Sequence, residues 1–317
     1  MTRVLVTGGA GFLGSNVAAA LVERPGVDLV VAGDVRRPEH PLEGVVYDDC
    51  DVTRPSGIAP LLQRHRIDVV VHLAAIVNPG RDHDMEYRVD VEGSRNVLEG
   101  CLAAGVRRIV VSSSGAAYGY HADSPEWLRE TDPVRGNEEF AYAKHKRLVE
   151  EMLAEHRAEH PELEQVVFRI GTILGPTVQN QITALWDAGR VLAVSGSDSP
   201  FVFVWVDDVA GAMARAATDG PPGIYNVAGD GRITVQELAA RLGKPLLTLP
   251  ASVLAGALRI GRMLHLTVHG PEQVGFLRYR PVLDNTRLKT EFGYTPQYTS
   301  AEAFEAYLAT HPGVARR

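Results

Sequence analysis

Cysteine and lysine are the scarce residues of this 317-residue chain. The two cysteines, Cys50 and Cys101, stand alone. They have neither the paired spacing of a zinc site nor the density of a disulfide scaffold, so both frameworks are excluded and a reducing compartment is expected. Lysine occurs only at Lys144, Lys146, Lys244 and Lys289, and arginine carries most of the positive charge. The formal net charge of −7 disfavours nucleic acid or an anionic membrane as the main partner. No hydrophobic run is long enough to span a bilayer. The most apolar late stretch, Leu254 to Val268, is too short and is interrupted by Arg259 and Arg262. It reads instead as an amphipathic helix packed within a small lobe, with a pocket wall or a shallow membrane contact as the alternatives. No secretory signal precedes the first strand pattern, so the expected location is the cytoplasm. Internal repeats and low-complexity segments are missing, and so is a G-x-S-x-G nucleophile elbow, which removes the hydrolase reading.

What is present is an ordinary globular composition, 45% hydrophobic and 22% charged, able to bury a sizeable core. The chain is organised around TGGAGFLG, Thr7 to Gly14. It follows a short apolar run, Arg3 to Val6, and opens an apolar-periodic one, Phe12 to Val22. That is strand, glycine turn, helix. Gly8, Gly11 and Gly14, spaced three apart, allow backbone to approach a pyrophosphate, whose charge would rest on the free N–H groups of the helix start. Asp34 closes a second apolar run twenty residues after Gly14 and is placed to accept hydrogen bonds from an adenosine ribose. Further continuous apolar runs, Gly44 to Tyr47, Ile67 to His72, Arg108 to Ser112 and Gln165 to Ile170, are separated by helical patterns such as Tyr87 to Ala103 and Tyr142 to His156. This predicts a parallel sheet covered on both faces, with ligands at the carboxyl ends of its strands where the strand order reverses. After Gly175-Pro176 the elements shorten. A strand and helix over Phe201 to Ala217 are expected to return to the main sheet. The expected division is a dinucleotide-binding domain of 1–172 plus about 201–226, and a smaller mixed lobe of about 173–200 and 227–317, ending in a helix from Ser300 to Thr310.

The candidate chemistry lies in two stretches. In YAKHK, Tyr142 and Lys146 are four apart and share one helical face. A phenol is a poor acid–base group at neutral pH, and a neighbouring ammonium favours its ionised form, which makes Tyr142 a proton relay to a substrate hydroxyl or carbonyl. In SSSGAAYG, Ser114 ends a strand where it can orient the same substrate oxygen.

In this order TGGAGFLG, Asp34, Asp51-Val52, HLAA (His72 to Ala75), SSSGAAYG and YAKHK resemble the extended short-chain dehydrogenase/reductase family, of the NAD-dependent epimerase/dehydratase type. FVWVDD and the tail around LDNTRLKTEFGYTP fit as well, so the resemblance covers nearly the whole chain. It implies an α/β, Rossmann-type doubly wound parallel sheet with a smaller C-terminal substrate lobe, and an NAD-dependent enzyme with Ser114, Tyr142 and Lys146 as catalytic residues. Gly8, Gly11, Phe12, Leu13, Gly14, Asp34, Arg36, Asp51, Val52, Leu73, Ala74 and Ala75 would hold the cofactor, with Tyr142 and Lys146 at its nicotinamide ribose. Asp51 and Val52 would meet adenine. A homodimer through two long helices is implied too.

The departures from the family bear on substrate. Gly115 and Ala116 stand where sugar dehydratases carry Asp-Glu, so elimination is unsupported. Thr172 replaces an asparagine that faces the diphosphate in nucleotide-sugar enzymes, and Phe201 replaces an arginine that clamps it. These two are candidate substrate contacts and favour a non-nucleotide, rather apolar alcohol or ketone; the alternative is 4-epimerisation of a nucleotide sugar, and a third, a cofactor sensor without chemistry, fits poorly with a retained Tyr–Lys pair. Asp34 favours NAD over NADP, although Arg36 and Arg37 could receive a 2′-phosphate. Asp90 replaces the asparagine usual in the long helix, with no assigned effect. His72 reads as a satisfied core histidine, and His145 as pointing away from the site. His121 and Trp127 fall in a loop that could roof the substrate.

Overall fold

The structure is a computed structural model that describes residues 1–77, 82–267 and 270–315. The first half alternates strand and helix: β1 (Thr2–Thr7), α1 (Phe12–Val22), β2 (Val27–Asp34), β3 (Val45–Asp49), α2 (Pro55–His65), β4 (Val69–His72), α3 (His83–Tyr87), α4 (Gly93–Ala104), β5 (Arg108–Ser114), α5 (Ala141–Glu159) and β6 (Glu164–Ile170). The continuous Val/Ile/Leu runs become strands buried on both faces. In β1, Val4 and Val6 meet α1, while Leu5 joins the core of α2 and α4 on the other side. Such strands suit a parallel sheet sandwiched by helices.

The remaining elements are β7 (Thr172–Leu174), α6 (Gln181–Ala184), β8 (Val191–Val194), β9 (Phe203–Trp205), α7 (Val206–Thr218), β10 (Gly223–Val227), α8 (Val235–Arg241), β11 (Leu246–Leu249), α9 (Ala251–Met263), α10 (Gln273–Arg278), α11 (Thr286–Thr290) and α12 (Ser300–Thr310). The main sheet has seven strands in the order β3-β2-β1-β4-β5-β6-β10, every pair parallel. The order reverses between β1 and β4, which opens a crevice at their carboxyl ends.

Two expectations change. The stretch from Phe201 to Ala217 does not return as one unit: β9 pairs with β7 in a separate two-stranded sheet. α7 packs on the main sheet beside α1, with Val204 of β9 reaching the same core, and the strand that rejoins the sheet is β10. The helix expected from Tyr87 to Ala103 is broken by a π-helical turn, Arg88–Glu92, between α3 and α4. The late apolar helix forms as α9, but only Leu254 of it is buried. Leu254, with Ala251, Ala255 and Leu258, packs against Val194, Val274 and Leu277 as expected, while Ile260, 56% exposed, and Met263, 70%, face away; Val268 lies outside the described residues.

A second core gathers around Trp186, which meets Phe201, Phe203, Phe304 and Tyr307 edge-on. Asp208, in the first turn of α7, accepts the backbone N–H of Gln297 at 2.7 Å and so ties the tail to the main sheet. No helix among the described residues is long and apolar enough to cross a membrane.

Candidate active site

The turn after β1 is built from glycines because nothing larger fits. Gly8 has φ +68°, a left-handed conformation that favours glycine. A Cβ at Gly14 would lie 2.1 Å from the Gly8 carbonyl oxygen. Gly11 caps α1 with no side-chain hydrogen bond, and the first turn of that helix carries no acidic residue. Its free N–H groups and positive end are therefore open to an anion. At the end of β2, Asp34 accepts the N–H of Ala10 at 3.1 Å and that of Arg36 at 3.0 Å. The carboxylate is held against the glycine turn with lone pairs to spare for a ribose hydroxyl. The cradle fits a dinucleotide.

This turn opens on a cleft of about 1430 Å³. The residues expected to hold the cofactor border it: Gly8, Gly11, Phe12, Leu13 and Gly14 from the turn, Asp34 and Arg36 after β2, Asp51 and Val52 after β3, and Leu73, Ala74 and Ala75 after β4. So do Ser114, Tyr142, Lys146, Thr172 and Phe201. Asp51 is occupied locally, accepting the Thr53 hydroxyl at 2.6 Å, which holds its carboxyl below the usual carboxylate range.

Tyr142 and Lys146 sit on the first turns of α5. The Lys146 ammonium lies 5.6 Å from the Tyr142 ring centre and donates to the Ser112 carbonyl at 2.8 Å. Ser114 ends β5, and its oxygen accepts the N–H of Ala116 at 3.1 Å, starting a 3₁₀ turn over Gly115–Tyr118. That bond uses the oxygen and leaves the hydroxyl hydrogen for a ligand. Beneath β5, Ser113 donates to Glu150 at 2.5 Å, and Glu150 pairs with the buried Arg169 at 2.6 Å. Arg169 in turn donates to the Tyr118 hydroxyl at 2.9 Å.

Several side chains differ from expectation. His145 does not point away. It is 5% exposed, borders the cleft, and its Nδ1 lies 2.9 Å from a carboxylate oxygen of Asp90. Asp90, in the π-helical turn, accepts the N–H of Ile76 at 2.8 Å with its other oxygen. His72 is the satisfied core histidine expected, meeting Thr7 Oγ1 at 2.8 Å and Ser94 Oγ at 3.0 Å. His121 and Trp127 do not border the large cleft: His121 bonds the Arg135 carbonyl, and Trp127 lies under Arg232 at a smaller pocket.

The cleft also has an aromatic wall that the sequence did not reveal. Tyr120, Phe140 and Phe276 pack together with ring centres 5.2 to 5.7 Å apart. Phe201 is 3% exposed and stacks on Phe203, so it is both core and wall. The Arg280 guanidinium lies 3.8 Å from the Phe201 ring centre and donates to Ser199 at 2.8 Å. Burial lowers its pKa from the ordinary value, yet a guanidinium keeps its charge at neutral pH. No carboxylate pairs with it among the described residues. Arg280 joins Phe201 only through the fold, so no local pattern could have found it.

A parallel sheet in this order, with a glycine turn at its switch point and a tyrosine–lysine pair one helical turn apart beside it, defines a Rossmann-type enzyme of the extended short-chain dehydrogenase/reductase kind. More particularly, residues 4–228 match the NAD dependent epimerase/dehydratase family, and the chain belongs to that family. Among its relatives, the Mycobacterium tuberculosis protein Rv0501 is 27% identical over 312 residues, 96% of this chain and 83% of that protein. The UDP-glucose 4-epimerase of Erwinia amylovora is 30% identical over 192 residues, 56% of each chain. The UDP-glucose 4-epimerase of Thermus thermophilus, solved in complex with NAD, is 26% identical and superposes with a TM-score of 0.76 over 98% of this chain and 99% of that one.

Proposed function

We propose that this protein is an NAD-dependent oxidoreductase acting on a secondary alcohol or ketone that is not a nucleotide sugar. The observation that carries the reading is the convergence of the glycine cradle, Ser114, Tyr142 and Lys146 on one cleft. Gly8, Gly11 and the start of α1 would hold the pyrophosphate, Asp34 the adenosine ribose, and Lys146 the nicotinamide ribose. The bound cofactor supplies a carbon that accepts or gives a hydride. Tyr142 takes the proton from the substrate hydroxyl or returns it to the carbonyl oxygen, Ser114 donates to that oxygen and fixes its direction, and Lys146 favours the ionised phenol. Asp34 disfavours the 2′-phosphate of NADP by charge. The aromatic wall suits an apolar substrate body, and Arg280 suits one anionic group on it.

The second reading is 4-epimerisation of a nucleotide sugar. It is favoured by the named relatives and by Arg280, a cation at the wall where the chain has Phe201 rather than an arginine. Mixing the protein with NAD and either free secondary alcohols or UDP- and dTDP-sugars separates the two. NADH formed in step with a free alcohol is expected. Conversion of a nucleotide sugar with no net NADH would replace this reading with epimerisation. Tyr142→Phe should lower turnover by about a hundredfold or more while NAD affinity changes by less than about threefold; equal loss of both would make the residue structural. The protein is further proposed to pair as a homodimer through α4 and α5. Light scattering at the mass of one chain would remove that proposal.

A further inference from the structure

Asp90 touches three parts of the site at once. One oxygen takes the N–H of Ile76, in the loop after β4 that floors the cleft. The other faces His145 Nδ1, on α5. Its own carbonyl accepts the Ser94 hydroxyl at 2.6 Å. Because Ser94 spends its hydrogen there, it accepts from His72 Nε2, and His72 Nδ1 then accepts from the Thr7 hydroxyl. Thr7 Oγ1 receives the N–H groups of Leu73 at 3.2 Å and Ala74 at 3.3 Å. A continuous run of hydrogen bonds thus joins the helix of Tyr142 to the turn that would carry the cofactor. The π-helical turn makes this possible by displacing Asp90 from the regular helical ladder toward α5.

His145 is three residues after Tyr142 and one before Lys146, so the helix presents Tyr142 between the two. Its ring is braced edge-on by Tyr87, with centres 5.6 Å apart. An ionised carboxylate only accepts, so the hydrogen between Asp90 and His145 belongs to Nδ1. Nε2 has no partner among the described residues, and the side chain borders the cleft.

We propose that Asp90 and His145 are a positioning pair for the catalytic helix: Asp90 pins α5 to the cofactor floor through Nδ1–H and thereby presents His145 Nε2 as a bare acceptor beside Tyr142 and Lys146. The hydrogen-bond donor it would receive is a hydroxyl of the bound cofactor or substrate. This rests on the assignment of Tyr142 as the acid–base group, but its decisive measurement does not need turnover.

That measurement is the ¹⁵N spectrum of the His145 imidazole in the NAD-loaded protein, assigned by comparison with His145→Asn. The hydrogen is expected on Nδ1 in the wild type. In Asp90→Asn the amide would donate to Nδ1 and move the ring hydrogen to Nε2. A wild-type ring with Nδ1 bare would overturn the proposal. The second arm compares His145→Asn, whose amide nitrogen stands in for Nδ1, with His145→Ala, using NAD affinity and, with whichever alcohol or nucleotide sugar the protein converts, kcat and KM. His145→Ala should lose about tenfold in kcat or NAD affinity, and His145→Asn should recover most of it. Equal loss in both variants, or none in His145→Ala, would sink the positioning role. Melting temperatures of both variants separate this from misfolding, and the spectrum stands alone if Asp90→Asn does not fold. Failure of Tyr142→Phe to affect turnover would count against the enzyme mechanism and leave the spectrum of His145 unaltered.

Discussion

His72 ends β4 with 4% of its surface exposed. Burial is the main cause that lowers its pKa to about 3, the Lys146 cation adds to this, and Asp90 opposes it. An unfolded histidine titrates near 6.5. Above that value neither state binds the proton and the stability is fully present. Below it the unfolded chain takes up a proton that the native ring refuses, so stability falls with decreasing pH until the folded value is reached. Each pH unit in that window costs about 1.4 kcal/mol from this one group. Chemical denaturation between pH 7 and 5 should show this slope in the wild type, reduced by one proton in His72→Asn. An unchanged slope would mean that the ring is protonated in the native protein. The Thr7–His72–Ser94 contacts supply no charge to compensate, which is why the ring prefers to stay neutral.

At the scale of elements, α5 does two jobs on two faces. One carries Tyr142 and Lys146. The other carries Glu150, whose side chain is 4% exposed against Arg169 at 5%. Glu150 also holds Ser113, and Arg169 holds Tyr118, so the pair anchors both ends of the turn that begins at Ser114. Glu150→Leu alone would leave a buried guanidinium without its carboxylate and should cost about 3–5 kcal/mol in urea unfolding. Glu150→Leu with Arg169→Met should recover much of that loss, because no unpaired charge is left behind. Equal stability of the single and double variants would show that packing, not charge, sets the cost. The strands and the Tyr–Lys pair were legible in the sequence because their signals are local: continuous apolar runs, and a spacing of four on a helix. What was not legible is contact between distant segments. Asp90 and His145 are 55 residues apart, and nothing in either stretch announces the other. The run around Phe203 looked like a strand of the main sheet because a short apolar run before a helix has the same local pattern wherever its partner lies; the pairing with β7 is decided by the aromatic core around Trp186.

For the whole molecule, the cleft lies between two cores, one around the main sheet and one around Trp186. Phe12, at the start of α1, packs against the second core, and Gly175, after β7, meets Phe12 in turn. The glycine turn is therefore backed by the second core as well as by the main sheet. A ligand that orders this turn stabilises the contacts between the two, and its binding energy adds to the stability of the folded state as a whole. NAD at a hundredfold excess over its Kd should add about 2.7 kcal/mol. For a chain of this length that is a rise of roughly 5 °C in melting temperature. NADP at the same concentration should give a clearly smaller rise, because its 2′-phosphate would meet the carboxylate of Asp34, which is held in place by Ala10 and Arg36. Asp34→Ala should narrow the gap from both sides, losing the ribose acceptor for NAD and the repulsion for NADP. An equal rise with both cofactors in the wild type would mean that Arg36 and Arg37, not Asp34, govern that end of the cleft.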